Sequence, residues 1–198
     1  MADEKRHPRE RMVYSAVQLV RAHGATGTGV RDVVEHAGAP RGSFQHYFPG
    51  GKDQLVGEAM LWAADYAAER AAAYRATARN PTPAGLFAHM VKQWKKDFAE
   101  RGYERGCPLM AAAADLVGGD SAVTTQLRTA IDRWERAIAA ELVAMGVPAR
   151  RAARLATLML STLEGAIMSA RLRRDLGPLN VVVAELAPLL DSALDSAS

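Results

Sequence analysis

The stretch TGVRDVVEHAGAPRGSFQHYFPGGKDQL, Thr28 to Leu55, decides the fold. It reads as two short helices and the start of a third, separated by glycine turns. In the first, Val30, Val33, Val34 and Ala37 recur at the spacing of one helical face. Thr28 offers a hydroxyl to cap the free N–H groups at its start, and Gly38 stops it. The second covers about Pro40 to Tyr47, with Phe44 and Phe48 as apolar core anchors, and Pro49-Gly50-Gly51 breaks the chain after it. Upstream, Pro8 to His23 places Met12, Val13, Ala16, Val17, Leu19 and Val20 on one face. Proline suits its first turn and Gly24 its end. Two short helices joined by a glycine turn and packed on a longer first helix describe a helix-turn-helix.

The remainder also reads as helix. A long segment from Lys52 to Arg79 is followed by the linker Asn80-Pro-Thr-Pro83. Helices are then expected at Ala84–Glu100, Pro108–Val117, Ser121–Met145, Pro148–Arg174 and from Gly177 to about Leu194, with glycines and prolines between several of them. No run alternates with period two, so the expected fold is all-α. We expect a DNA-binding domain at residues 1–51 and a helical regulatory and dimerisation domain at 52–198, with 52–79 as the linking helix.

Composition narrows the function classes. The chain has 198 residues, 49% of them hydrophobic, and a formal net charge of +3, which suits a nucleic-acid partner without requiring one. Four of the five histidines and a regular series of arginines lie in the first fifty residues. Cys107 is the one cysteine, which excludes a disulfide framework and makes cysteine-pair zinc ligation untenable. The histidines lack ligand spacing, so no metal and no cofactor is expected. No run reaches the roughly 18 apolar residues of a membrane span, and the N-terminus does not read as a signal peptide. A cytoplasmic protein that is not an enzyme is expected, since no nucleophile–histidine pairing is arguable.

A recognition helix must present small and polar groups where the backbone approaches base edges. Arg41-Gly42-Ser43 does so: Gly42 holds nothing away from the groove, and Arg41 can reach a phosphate or a guanine edge. Gln45, His46 and Tyr47 add hydrogen-bonding groups, and Arg31 on the preceding helix joins the expected contact set. At Lys52, free backbone N–H groups, the helix dipole and an ammonium can hold a phosphate together. On a generic helix these residues would be an ordinary solvated face; the surrounding pattern selects DNA contact.

That pattern resembles the DNA-binding signature of TetR-type repressors. Thr28 to Leu55 supplies the threonine cap, the alanine-glycine turn, the small recognition helix, the aromatic-phenylalanine-proline end and the lysine in order. The rest is similar to the LmrA/YxaF-like branch. The features are the extra glycine before Lys52, the Gly106-Cys-Pro108 step, Trp134 within DRWERAIAAEL, the segment LATLMLSTLEGAI and the closing Pro178-Leu179. The resemblance implies phosphate contacts at Thr28, His46, Tyr47 and Lys52, with Arg41, Gly42 and Ser43 opening the recognition helix. Two positions depart from it. Pro40 stands where a capping serine is frequent, and Gln45 where a tyrosine is usual. A glutamine there can read adenine bidentately.

The expected activity is that of a repressor binding a palindromic double-stranded operator as a homodimer, its recognition helices about 34 Å apart. Release would follow binding of a bulky apolar effector. Trp62, Tyr66, Met90, Trp94, Phe98, Met110, Trp134, Met159 and Leu163 are the candidate lining; the same residues at helical spacing also read as plain core. A stripe of Leu155, Leu158, Met159, Thr162, Leu163 and Ala166, with Val182, Leu186, Leu189 and Leu190, is expected to form the dimer interface. The competing readings are a DNA-binding regulator without an effector and a small helical enzyme.

Overall fold

A computed structural model describes residues 7–40, 42–116 and 121–194. Among them are nine helices and no strand: α1 Pro8–His23, α2 Val30–His36, α3 Phe44–Tyr47, α4 Gly51–Thr77, α5 Pro83–Arg101, α6 Pro108–Leu116, α7 Ala122–Ala144, α8 Ala149–Arg173 and α9 Gly177–Asp191. The all-α class is as expected, and most boundaries fall where caps and breakers put them. Pro8 and Gly24 bound α1, with Gly24 at φ 75°, a backbone region open to glycine. The Thr82 hydroxyl accepts from Gly85 N–H at 3.0 Å, and Gly102 closes α5.

Two expectations at the helix-turn-helix need correction. Thr28 does not cap α2. The cap is Gly29, in extended conformation, while the Thr28 hydroxyl donates back to the Gly24 carbonyl at 2.7 Å. A hydroxyl proton spent on the preceding turn, with its residue 3% exposed, leaves the first N–H groups of α2 to other partners. Helix α3 begins at Phe44 and not at Pro40, because the Ser43 backbone N–H and hydroxyl both bond to the Pro40 carbonyl, at 3.0 and 2.7 Å, and close a separate turn. Phe48 is fully buried, but Phe44 is half-buried and stacks on it at 5.4 Å.

The chain divides into two compact units, Met1–Asp65 with Arg105–Ile131, and Tyr66–Glu104 with Asp132–Ser198. In the first, α1 packs on α2 and α6, and Met12, Val17, Val33, Phe48, Leu55, Met60, Leu109 and Leu127 form the core. The α6 residue Asp115 accepts the Thr26 N–H at 2.8 Å, bracing the turn that precedes α2. Arg21 and Gly106 exchange two hydrogen bonds, backbone to backbone and guanidinium to carbonyl, each of 2.9 Å.

In the second unit α9 packs on both α5 and α8. Leu86, Phe87, Phe98, Ile138, Leu142, Leu155, Met159 and Leu163 fill the interior. The carboxylate of Glu141, itself buried, accepts from Arg75 Nε at 2.6 Å. The sequence assigned one α8 stripe to dimerisation, but the stripe divides. Leu155, Met159, Leu163 and Ala166 are buried within the protomer, whereas Leu158 faces outward, as do Met168 and Leu172 beyond that stripe.

Candidate nucleic-acid interface

The contact residues are set by the short elements from α2 to the start of α4. Gly42, Gln45 and His46 are exposed, and Ser43 and Tyr47 are half-buried. Arg41 lies outside the described residues. An added Cβ at Gly42 would meet nothing within 4 Å, and its φ is not positive. Among the described residues, no packing demands glycine there. The Ser43 hydroxyl spends its proton on Pro40, so in this rotamer it can accept a hydrogen bond but not donate one. Gln45 Nε2 donates to the Pro49 carbonyl at 3.3 Å, which leaves its second N–H and its oxygen for a bidentate adenine contact. The Tyr47 ring meets His46 at 5.1 Å and His7 at 5.3 Å, both edge-on.

Lys52 sits one residue inside α4. Its Nζ donates to the Thr26 carbonyl at 3.0 Å, which fixes the ammonium beside the α1–α2 turn and uses one of three donors. Gly51, at φ 72°, turns the chain into the helix. Arg31 is exposed on α2, and Thr28 is buried beneath the turn. Thus Gly42, Ser43, Gln45, His46, Tyr47, Arg31 and Lys52 offer accessible groups, while Thr28 does not offer its hydroxyl proton.

Sequence reasoning missed a side-chain network behind this surface. Arg9 Nη2 donates to both Glu58 carboxylate oxygens, at 2.8 and 2.6 Å, and its guanidinium lies 5.2 Å from the Phe48 ring centroid. Gln54 links Glu58 to the Gly50 N–H, with both bonds at 2.9 Å. The i,i+4 spacing of Gln54 and Glu58 was the legible signal. Behind α2, His36 Nδ1 meets the fully buried Ser15 hydroxyl at 2.9 Å. Burial, helped by the Arg105 charge, lowers the pKa of His36.

The candidate ligand residues fall in both units, Trp62 and Met110 in the first and the rest in the second. Trp62 meets Tyr14 edge-on at 5.8 Å, and Met110 is half-buried. In the second unit Met90, Phe98, Trp134, Met159 and Leu163 are buried, Trp94 is half-buried against Phe98, and Tyr66 is 47% exposed. The described residues hold no cluster of three or more metal-ligating side chains. No helix among them is long and apolar enough to cross a membrane.

A three-helix head with an exposed short recognition element and a lysine at the following helix start defines a helix-turn-helix, DNA-binding transcription regulator. Comparison with known proteins fixes the family. Residues 14–59 match the family model "Bacterial regulatory proteins, tetR family", and residues 83–185 match "Transcriptional regulator LmrA/YxaF-like, C-terminal domain". An uncharacterized HTH-type transcriptional regulator of Mycobacterium tuberculosis is 41% identical over 198 residues, covering 96% of this chain and 98% of the relative. The HTH-type transcriptional regulator LmrA of Bacillus subtilis is 26% identical, covering 86% of this chain and 90% of LmrA. A TetR transcriptional regulator from Chloroflexus aurantiacus superposes with a TM-score of 0.70 at 29% identity, covering 91% of this chain and 92% of that one. The chain belongs to the TetR family, with an LmrA/YxaF-like C-terminal domain, and this is a family of regulators and not of enzymes.

Proposed function

We propose that the protein is a homodimeric, cytoplasmic repressor that binds a palindromic operator and leaves it when a bulky apolar effector binds. Residues 1–51, together with Lys52 at the start of the linking helix, make the DNA contacts, and residues 52–198 otherwise regulate and dimerise. The observation that carries the DNA part is Gly42: a glycine exposed, unstrained and unpacked, within a polar surface that includes Gln45 and His46. Arg41, from its place in the sequence, adds a phosphate or guanine contact.

Dimerisation is supported by the outward face of α8 and α9. Leu158, Met168, Leu172, Val181 and Leu189 are exposed, Leu172 at 85%. Between the two helices runs an open groove of about 560 Å³ whose lining includes Ser161, Gly165, Ala166 and Ser169, small residues that permit close helix approach. A monomeric mass at micromolar concentration would refute this.

The effector part rests on the aromatic and methionine side chains of the second unit, and binding there must differ in strength between the two DNA-binding states. One observation favours an effector-free regulator instead: Met90, Phe98, Trp134, Met159 and Leu163 already pack in the protomer's core. A thermal-shift screen with hydrophobic compounds, followed by gel shift on the protein's own upstream DNA, separates the two. A compound that raises the melting temperature and releases DNA supports the effector; a broad apolar library without effect supports its absence.

A further inference from the structure

We propose that Arg9, Gln54 and Glu58 are positioning residues that hold the recognition element in register with the N-terminal turn of α4, and that operator affinity depends on them. The DNA-contact groups lie on both sides of Phe48-Pro-Gly-Gly51. Gln45, His46 and Tyr47 precede this junction and Lys52 follows it. Gly51 occupies the left-handed region, and two consecutive glycines give the junction more intrinsic backbone freedom than other residue types would. Both groups of contacts must meet one rigid duplex, so a small rotation at the junction misplaces one of them.

The network closes across that junction from both sides. Gln54 lies against Gly50: it accepts the Gly50 N–H at 2.9 Å, and an added Cβ at Gly50 would stand 3.1 Å from Gln54 Cβ. Glu58, one turn further along α4, accepts from Gln54 and receives Arg9 on both oxygens. Arg9 lies over Phe48, which stacks on Phe44 at the start of α3. His7, the cap of α1, also reaches the surface at Tyr47. The first turn of α1 therefore grips the end of the recognition element and, through Glu58 and Gln54, the start of α4.

The Arg9 and Glu58 side chains are 41% and 23% exposed, so their pairing contributes little to global stability. Geometry is where it counts. Lysine cannot replace Arg9, because it lacks the planar guanidinium that lies over the ring while donating to the carboxylate.

The test rests on operator binding by the wild type. Arg9→Lys, Glu58→Gln and Gln54→Leu are made singly and also on a Lys52→Ala background, with the swap Arg9→Glu/Glu58→Arg. Operator affinity is read by fluorescence anisotropy at fixed salt, and melting temperature is measured alongside. Each single variant is expected to bind about fivefold to tenfold more weakly at nearly unchanged melting temperature, with losses that do not multiply with that of Lys52→Ala, as for groups sharing one network. The swap is expected to recover part of the loss. Affinity within twofold of wild type, or losses that multiply fully with Lys52→Ala, would overturn the proposal. If Glu58→Gln fails to fold, Gln54→Leu, which leaves the ion pair intact, tests the same dependence with the same two outcomes. Absence of operator binding by the wild type would instead refute the DNA-contact reading on which the network rests.

Discussion

Replacing Lys52 by alanine separates the DNA role of this side chain from its structural one. Among the described residues Lys52 makes one exposed hydrogen bond, to the Thr26 carbonyl at 3.0 Å. Its loss costs at most about 1 kcal/mol and lowers the melting temperature by roughly 2–4 °C. On DNA the expected effect is larger and depends on salt. Each neutralised phosphate contributes about 0.9 to the slope of log affinity against log salt. The proposed dimer would present two copies, so the variant should lose about 1.8 of slope. Between 50 and 200 mM salt, about 0.6 log units, the gap between wild type and variant should narrow roughly tenfold. Anisotropy titrations of both proteins on one operator at four salt concentrations measure this. Parallel lines would refute the phosphate assignment, and a fall in melting temperature several times larger would show that Lys52 serves the fold.

Gly42→Ala should leave stability within about 0.5 kcal/mol of wild type, since an added Cβ meets nothing within 4 Å, yet weaken operator binding; calorimetry with gel shift checks both. Phe48→Ala removes a fully buried ring and should cost about 3–5 kcal/mol, read by chemical denaturation. Arg75→Ala leaves the buried Glu141 carboxylate without that ion pair, and because Arg75 is itself 44% exposed the loss should be about 1–2 kcal/mol, also read by denaturation. The pKa of His36 is lowered from its ordinary 6.5 by burial, and that of His89 by burial and the nearby Arg70 and Lys92 charges. Below pH 6.5 the unfolded chain then binds more protons than the folded one, so stability falls as pH falls toward the lowered values. His36→Gln should flatten part of that fall, and an unchanged pH profile of melting temperature would contradict it.

The helices were legible because their ends carry strong local chemistry. Proline at the first turn and glycine after the last fix α1 and α5 almost to the residue. The α2 start was misplaced because the Thr28 hydroxyl bonds backward to Gly24 instead of capping, and the α3 start because Pro40 to Ser43 closes a separate turn before the helix. Sequence spacing does not reveal which way a hydroxyl turns. The α8 stripe divides into buried Leu155, Met159, Leu163 and Ala166 and exposed Leu158, since period 3.6 marks an apolar face without saying what covers it. Contacts such as Arg9–Glu58 and Thr26–Asp115, 49 and 89 residues apart, leave no mark on a single sequence.

Sequence-specific DNA binding through the surface from Gly42 to Lys52 is tested most directly by competition. The protein's own upstream duplex and a scrambled duplex of equal length and composition are titrated at one physiological salt concentration, with wild type and Arg41→Ala. Wild type is expected to prefer the upstream duplex by roughly a thousandfold or more. Arg41→Ala should lose much of that preference. Equal affinity of wild type for both duplexes, or full preference retained by the Arg41 variant together with Gly42→Ala and Lys52→Ala, would contradict DNA recognition by this surface.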